Sequence, residues 1–228
     1  MLFRSGTPAL TVTFTDPSGN ESVTSPALPV TIDETAPPAP AVPTLDAASD
    51  TGTLGDGLTN DTTPTITGTD GTPGETVTLY ADGTEVGTAV VEPDGSYSVA
   101  PDAPLAEGTP ALTVTFTDPS GNESALSTAL PVTIDATAPI EPGLNTPIEN
   151  DNTINASEQD DVSVSGTAEP NSTVNVTFTD GNGSTATGQT TADGAGNWTL
   201  DGSEVDVSEL QDGPLDVAVT ATDSAGNV

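Results

Sequence analysis

The chain has no cysteine, no lysine and no histidine, and Arg4 is its single basic residue. Without cysteine there is neither a disulfide staple nor a thiolate metal site. Without histidine, lysine or cysteine, a Ser-His-Asp triad and most other nucleophile–base pairs are unavailable. What remains for catalysis is a pair of carboxylates of the glycosidase kind, which needs a cleft and usually aromatic walls. Only four Phe, two Tyr and one Trp are present. Phe14, Phe116, Phe178, Tyr97 and Trp198 fall in alternating strand patterns, which marks them as core fillers. The chain therefore reads as a non-enzyme. No run of about 18 apolar residues occurs, so no segment is expected to span a membrane as a helix. The opening MLFRS is too short for a signal peptide, and a leader, if there is one, is expected outside this chain.

Against Arg4 stand 35 acidic residues, for a net charge of −34. Such a chain repels nucleic acid and anionic membrane surfaces, so neither is an expected partner. It also repels itself, and cations are expected to help it stay compact. High charge with few aromatics is the composition of a disordered chain, but the patterning opposes that reading. Leu112, Val114 and Phe116 alternate with Thr113, Thr115 and Thr117, the period of a half-buried strand. The same alternation recurs in Val174, Val176 and Phe178 and in Val217, Val219 and Ala221. Turn residues punctuate these runs at 81–83, 93–95 and 119–122.

The chain repeats itself. Residues 7–37 return at 109–139, an offset of 102, with 27 of 31 positions identical, and a diverged third copy of the motif begins at Asp212. A period near 100 residues is that of a small domain rather than a solenoid repeat. Three segments follow: 1–33 as the C-terminal part of a repeat, 34–135 as a complete repeat, and 136–228 as a repeat without its last strand. In the complete copy the expected strands are 63–67, 75–81, 85–92, 96–100, 111–117 and 129–135, with a short one near 43–45. Six or seven short strands with turns every 8–12 residues form the pattern of an all-β, immunoglobulin-like antiparallel sandwich, here in tandem. The first junction, from Asp33 through Pro37, Pro38, Pro40 and Pro43, is a short Pro-rich linker, extended and semi-rigid. The second, after Asp135, is similar but less proline-dense.

The units TID-x-TAP, NDTTPTITGT (60–69), DGSYS (94–98) and TDPSGN (117–122) resemble those of tandem bacterial Ig-like domains in giant surface adhesins and biofilm-associated proteins, including RTX adhesins. The resemblance covers essentially the whole chain. It implies a β-sandwich fold, an extracellular or cell-surface location, and the role of an extender holding a terminal ligand-binding domain away from the cell. It also implies Ca²⁺ at or near the junctions. The GGxGxD nonapeptide of the RTX β-roll is absent, as is any recognisable adhesive module, which suits a stalk segment better than a gripping one.

Calcium takes six to eight oxygens from carboxylates, amides and backbone, and three groups could supply them. One is the junction pair Asp33 and Asp135. A second is the TD-x-x-GN turn, as Asp16 with Asn20, Asp118 with Asn122, and Asp223 with Asn227. The third is the opening loop of the complete copy, Asp46, Asp50, Asp56 and Asp61, with Glu149, Asp151, Asp160 and Asp161 as a looser counterpart. Asp and Asn also reverse chains. A plain turn is the preferred reading of TD-x-x-GN, and ligation that of the junction aspartates and the 46–61 loop. Asp180 with GNGS reads as a hairpin turn. An ion shared at a junction would neutralise carboxylates and fix the angle between neighbouring repeats, making a monomeric rod whose partners are its own repeats and Ca²⁺. The competing readings are an Ig-like module that binds a glycan or protein, and an accessory domain of a secreted hydrolase.

Overall fold

The computed structural model describes residues 6–201 and 205–228, so Arg4 lies outside the described residues. The chain is all-β and divides into two compact units. Its one helical element among the described residues is a 3₁₀ turn at Ile148–Asn150.

The first unit comprises 1–44, 65–103 and 111–130. Its central strand, Thr76–Ala81, lies between Thr84–Val90 and Ala111–Thr117, in a four-stranded sheet that Leu130–Pro131 closes at one edge. Asp82 and Gly83 both take positive φ, 50° and 78°, as a two-residue hairpin turn matched to strand twist requires. A second sheet of three strands runs through Thr44–Leu45, Ile66–Gly68 and Tyr97–Val99. The Tyr97 ring meets Phe116 edge-on at 5.5 Å between centroids, which ties one sheet to the other. Val77, Leu79, Leu112 and Val114 are fully buried around them. The linker is anchored: Pro40 and Pro43 are buried, and the Ala41 N–H donates to Asp70 Oδ2 at 2.6 Å.

Phe14 departs from the core-filling expectation. It is 78% exposed, whereas its counterpart Phe116 is 1% exposed. In the first copy Ala9–Leu10 pairs with Leu28–Pro29, and bridges join Gly6 to Ile32 and Thr15 to Glu21, so a strand face is formed on which Phe14 stands exposed.

The second unit comprises 45–64, 104–110 and 131–228. Thr173–Thr179 is flanked by Thr185–Thr191 and Asp216–Thr222, each antiparallel and in unbroken register. The other sheet runs Gly143–Leu144, Val164–Thr167 and Asn197–Leu200. Val162, Val174, Val176, Phe178, Trp198 and Leu200 form its core. Trp198 lies against Gly166, where a Cβ would stand 2.6 Å from the indole. The Asp180 segment is the turn between Thr173–Thr179 and Thr185–Thr191, as its sequence indicates. This unit also holds a parallel ladder, Thr133–Ile134 against Leu58–Thr59, an exception to the antiparallel pattern. It arises because the opening and closing segments of the 34–135 copy run side by side in the same direction.

Candidate functional site: the inter-repeat seams

The TD-x-x-GN turn is built alike in all three copies. In the middle one, Asp118 Oδ1 accepts from the Ser120 and Asn122 N–H groups at 2.8 and 2.9 Å, and Oδ2 accepts from Asn122 Nδ2 at 2.8 Å. Gly121, at φ +90°, donates its N–H to the Asp118 carbonyl, a left-handed position that glycine fills without Cβ strain. Asp16 with Asn20 and Asp223 with Asn227 repeat the carboxylate–amide bond at 2.9 and 2.8 Å. The donors hold the Asp118 and Asp16 carboxyls below the usual carboxylate range, the asparagine amide contributing most.

The turn does more in the later copies. Within the first unit, the Asn122 amide also donates to the Asp33 carbonyl at 3.2 Å, and Ser120 Oγ stands 3.4 Å from Asp33 Oδ2. Within the second unit, the Asn227 amide donates to the Asp135 carbonyl at 2.9 Å. Two of the sequence-derived groups, junction aspartate and turn, are therefore one site, formed twice. The third group joins it in the second unit. Thr51 Oγ1 donates to the Ala225 carbonyl at 2.7 Å, the Thr53 N–H reaches the Ser224 carbonyl at 3.3 Å, and Ala225 is fully buried. A Cβ on Gly52 would fall 2.1 Å from the Ser224 oxygen. Thr51, Gly52, Thr53 and Ser120 are not marked out as site residues by the sequence, where only the left-handed demand on a glycine between two threonines points to this close approach.

Asp33 and Asp135 each cap the N–H two residues on, at 3.1 Å. Asp46 and Asp56 do the same at 2.9 Å, while Asp61 accepts from Ser49 Oγ and from Thr63. Among the described residues no three acidic side chains gather closely enough to share an ion. The turn carboxylates already accept from donors of their own turn. Among the carboxylates of the described residues, Asp50 Oδ1 is buried without a hydrogen-bond partner, while Oδ2 accepts from the Gly55 N–H.

The family model described as a bacterial Ig-like domain matches residues 36–136 and again 140–228. No curated protein matches the chain. Among solved structures, similarity is found to a tetra-tandem repeat from the extending region of a large adhesion protein. Identity there is 28%, over 98% of this chain and 54% of that one, at a TM-score of 0.34. A structure titled for the host cell surface retention of a 1.5-MDa bacterial ice-binding adhesin is also 28% identical, over 95% of this chain and 69% of that one, at 0.39. The BSP domain of a biofilm-associated protein is 26% identical, over 73% and 26%, at 0.26. The chain thus spans about half of the first of these structures. With TM-scores this low, the identification rests on the family match.

Proposed function

Because this chain belongs to the bacterial Ig-like domain family, we propose that it is an extender segment of a secreted or cell-surface bacterial adhesin. The observation that carries this reading is the recurring seam. The aspartate closing one copy meets the TD-x-x-GN turn of the next, at Asp33–Asn122 and again at Asp135–Asn227. A contact that repeats with the domain serves spacing rather than recognition. Near-identity of 7–37 and 109–139 points the same way, since a spacer is free to be copied whereas a binding site needs to be present once. Histidine, lysine and cysteine are missing from the chain, which removes most nucleophile–base pairs.

Calcium stiffening is a second part of this reading. Its support is the net charge of −34 and the unpartnered Asp50 Oδ1 in the loop that reaches the second seam. Six to eight oxygens would have to assemble around such an ion, with Asp50 the residue first expected to supply one.

Small-angle scattering on arrays of one to four copies of 34–135 tests the extender. Seams that hold make the maximum dimension grow by a constant increment per copy. Growth close to the square root of copy number, as for a flexible chain, would sink the reading.

A further inference from the structure

Turns of the same sequence have different surroundings in this chain. In the first copy, the Asn20 amide donates to Asp16 Oδ2 and, among the described residues, to no other acceptor, and Asn20 is exposed. In the second and third copies, the corresponding amide spans two acceptors: the aspartate of its own turn and the carbonyl of the aspartate that closes the preceding copy. Asn122 and Asn227 are correspondingly half-buried.

We propose that Asn122 and Asn227 are latch residues, whose side-chain amides hold the main chain of Asp33 and Asp135 and so help to close each seam. The chemistry suits the task. A primary amide has two N–H donors directed about a right angle or more apart. One is consumed by the turn carboxylate, which fixes the plane of the amide, so the other points outward in a set direction. Because the turn carboxylate is ionised, the bond that aims the amide is the stronger kind. The outward acceptor is a backbone carbonyl, which any residue would supply. The aspartate side chain at 33 or 135 is then not what the latch reads, and a chain dense in carboxylates gains a junction contact that adds no charge. The latch deepens the extender reading and rests on it for its purpose, although its geometry stands without it.

The seam at Asp33 has a built-in reporter, since Glu34 is the next residue and is exposed. A Glu-specific protease binds extended backbone on both sides of Glu34, so the Asp33 segment that Asn122 holds must leave the seam before it is cut. Its rate therefore follows the population of the open seam. The whole chain is digested in chelator, and each rate is normalised to the same variant's 30–40 segment as a free peptide. Asn122→Ala and Asn122→Asp are expected to speed cleavage after Glu34 about fivefold, what losing one hydrogen bond of ordinary net strength does to an opening equilibrium. Asn20→Ala breaks the same turn where it holds no neighbour, and is expected to leave the rate unchanged. Asp33→Asn keeps the carbonyl and is also expected to cleave at the wild-type rate. The proposal is overturned if Asn122→Ala is as slow as wild type. It is equally overturned if Asp33→Asn accelerates cleavage as much as Asn122→Ala, because the carboxylate would then hold the seam. Either result leaves the extender to its own test, the growth of scattering dimension with copy number.

Discussion

At the scale of single residues, the turn aspartates set how the fold answers acid. Asp118 is held below its ordinary value of 3.8, first by the Asn122 amide and then by the N–H groups of Asn122, Ser120 and Gly121. A carboxyl depressed in the folded state contributes stability that is fully present above its unfolded value and is lost as pH falls through the folded one. The window therefore lies below about pH 4. Mutual repulsion among 35 acidic residues fades over the same range and works in the opposite sense, so the comparison needs a partner variant. Asp118→Asn cannot ionise, and as pH drops from 5 to 3 its melting temperature is expected to fall less, or rise more, than that of the wild type. Parallel curves would show that the turn carboxylate is not coupled to folding. A second residue-scale outcome concerns Gly52 and Gly55, both at positive φ, 66° and 87°. An alanine at either suffers left-handed strain of about 1 kcal/mol. Only at Gly52 would the new Cβ strike a backbone oxygen, that of Ser224, since nothing lies within 4 Å at Gly55. Gly52→Ala is expected to lower the melting temperature by several degrees more than Gly55→Ala, measured by differential scanning calorimetry.

At the scale of strands, one aromatic per sandwich lies across a glycine on the neighbouring strand: Tyr97 over Gly68 and Trp198 over Gly166. The bare glycine gives the ring a flat bed, and the ring replaces the side chain the glycine lacks. Trp198 is 2% exposed at the centre of its core, so Trp198→Ala is expected to cost about 3–5 kcal/mol, read from urea denaturation of the whole chain. These strands were plain in the sequence. Ala111–Thr117 was bounded to the residue, because strict alternation ends there in TDPSGN and a turn must follow. Leu58–Thr59 was not, since Gly55, Asp56 and Gly57 make the segment read as loop. Its parallel partner, Thr133–Ile134, lies about 75 residues away, beyond any local pattern. Alternation in 10–14 likewise announces a strand face without saying what covers it, which is why Phe14 reads as core and stands exposed. The candidate site was half readable. The aspartates and asparagines announce themselves by type, but the acceptor that joins them is a main-chain carbonyl, identical at every residue and invisible in a sequence.

At the scale of the molecule, the question is whether salt or a bound ion offsets a charge of −34. Exposed carboxylates repel over a Debye length of about 30 Å at 0.01 M salt but only about 3 Å at 1 M. Raising NaCl from one to the other is therefore expected to raise the melting temperature steadily, with no saturation at low millimolar concentration. Calcium compared at matched ionic strength separates screening from binding. A site filled a hundredfold above its Kd adds about 2.7 kcal/mol, which for a chain of this size shifts the midpoint by roughly 5–10 °C. That shift should saturate with calcium and shrink in Asp50→Asn, which replaces a carboxylate whose Oδ1, among the described residues, is buried and unpartnered beside the second seam. If calcium does no more than sodium at the same ionic strength, the charge is only screened. The seams then hold through the amide–carbonyl contacts at Asp33 and Asp135, which carry no charge on the acceptor and should be indifferent to salt.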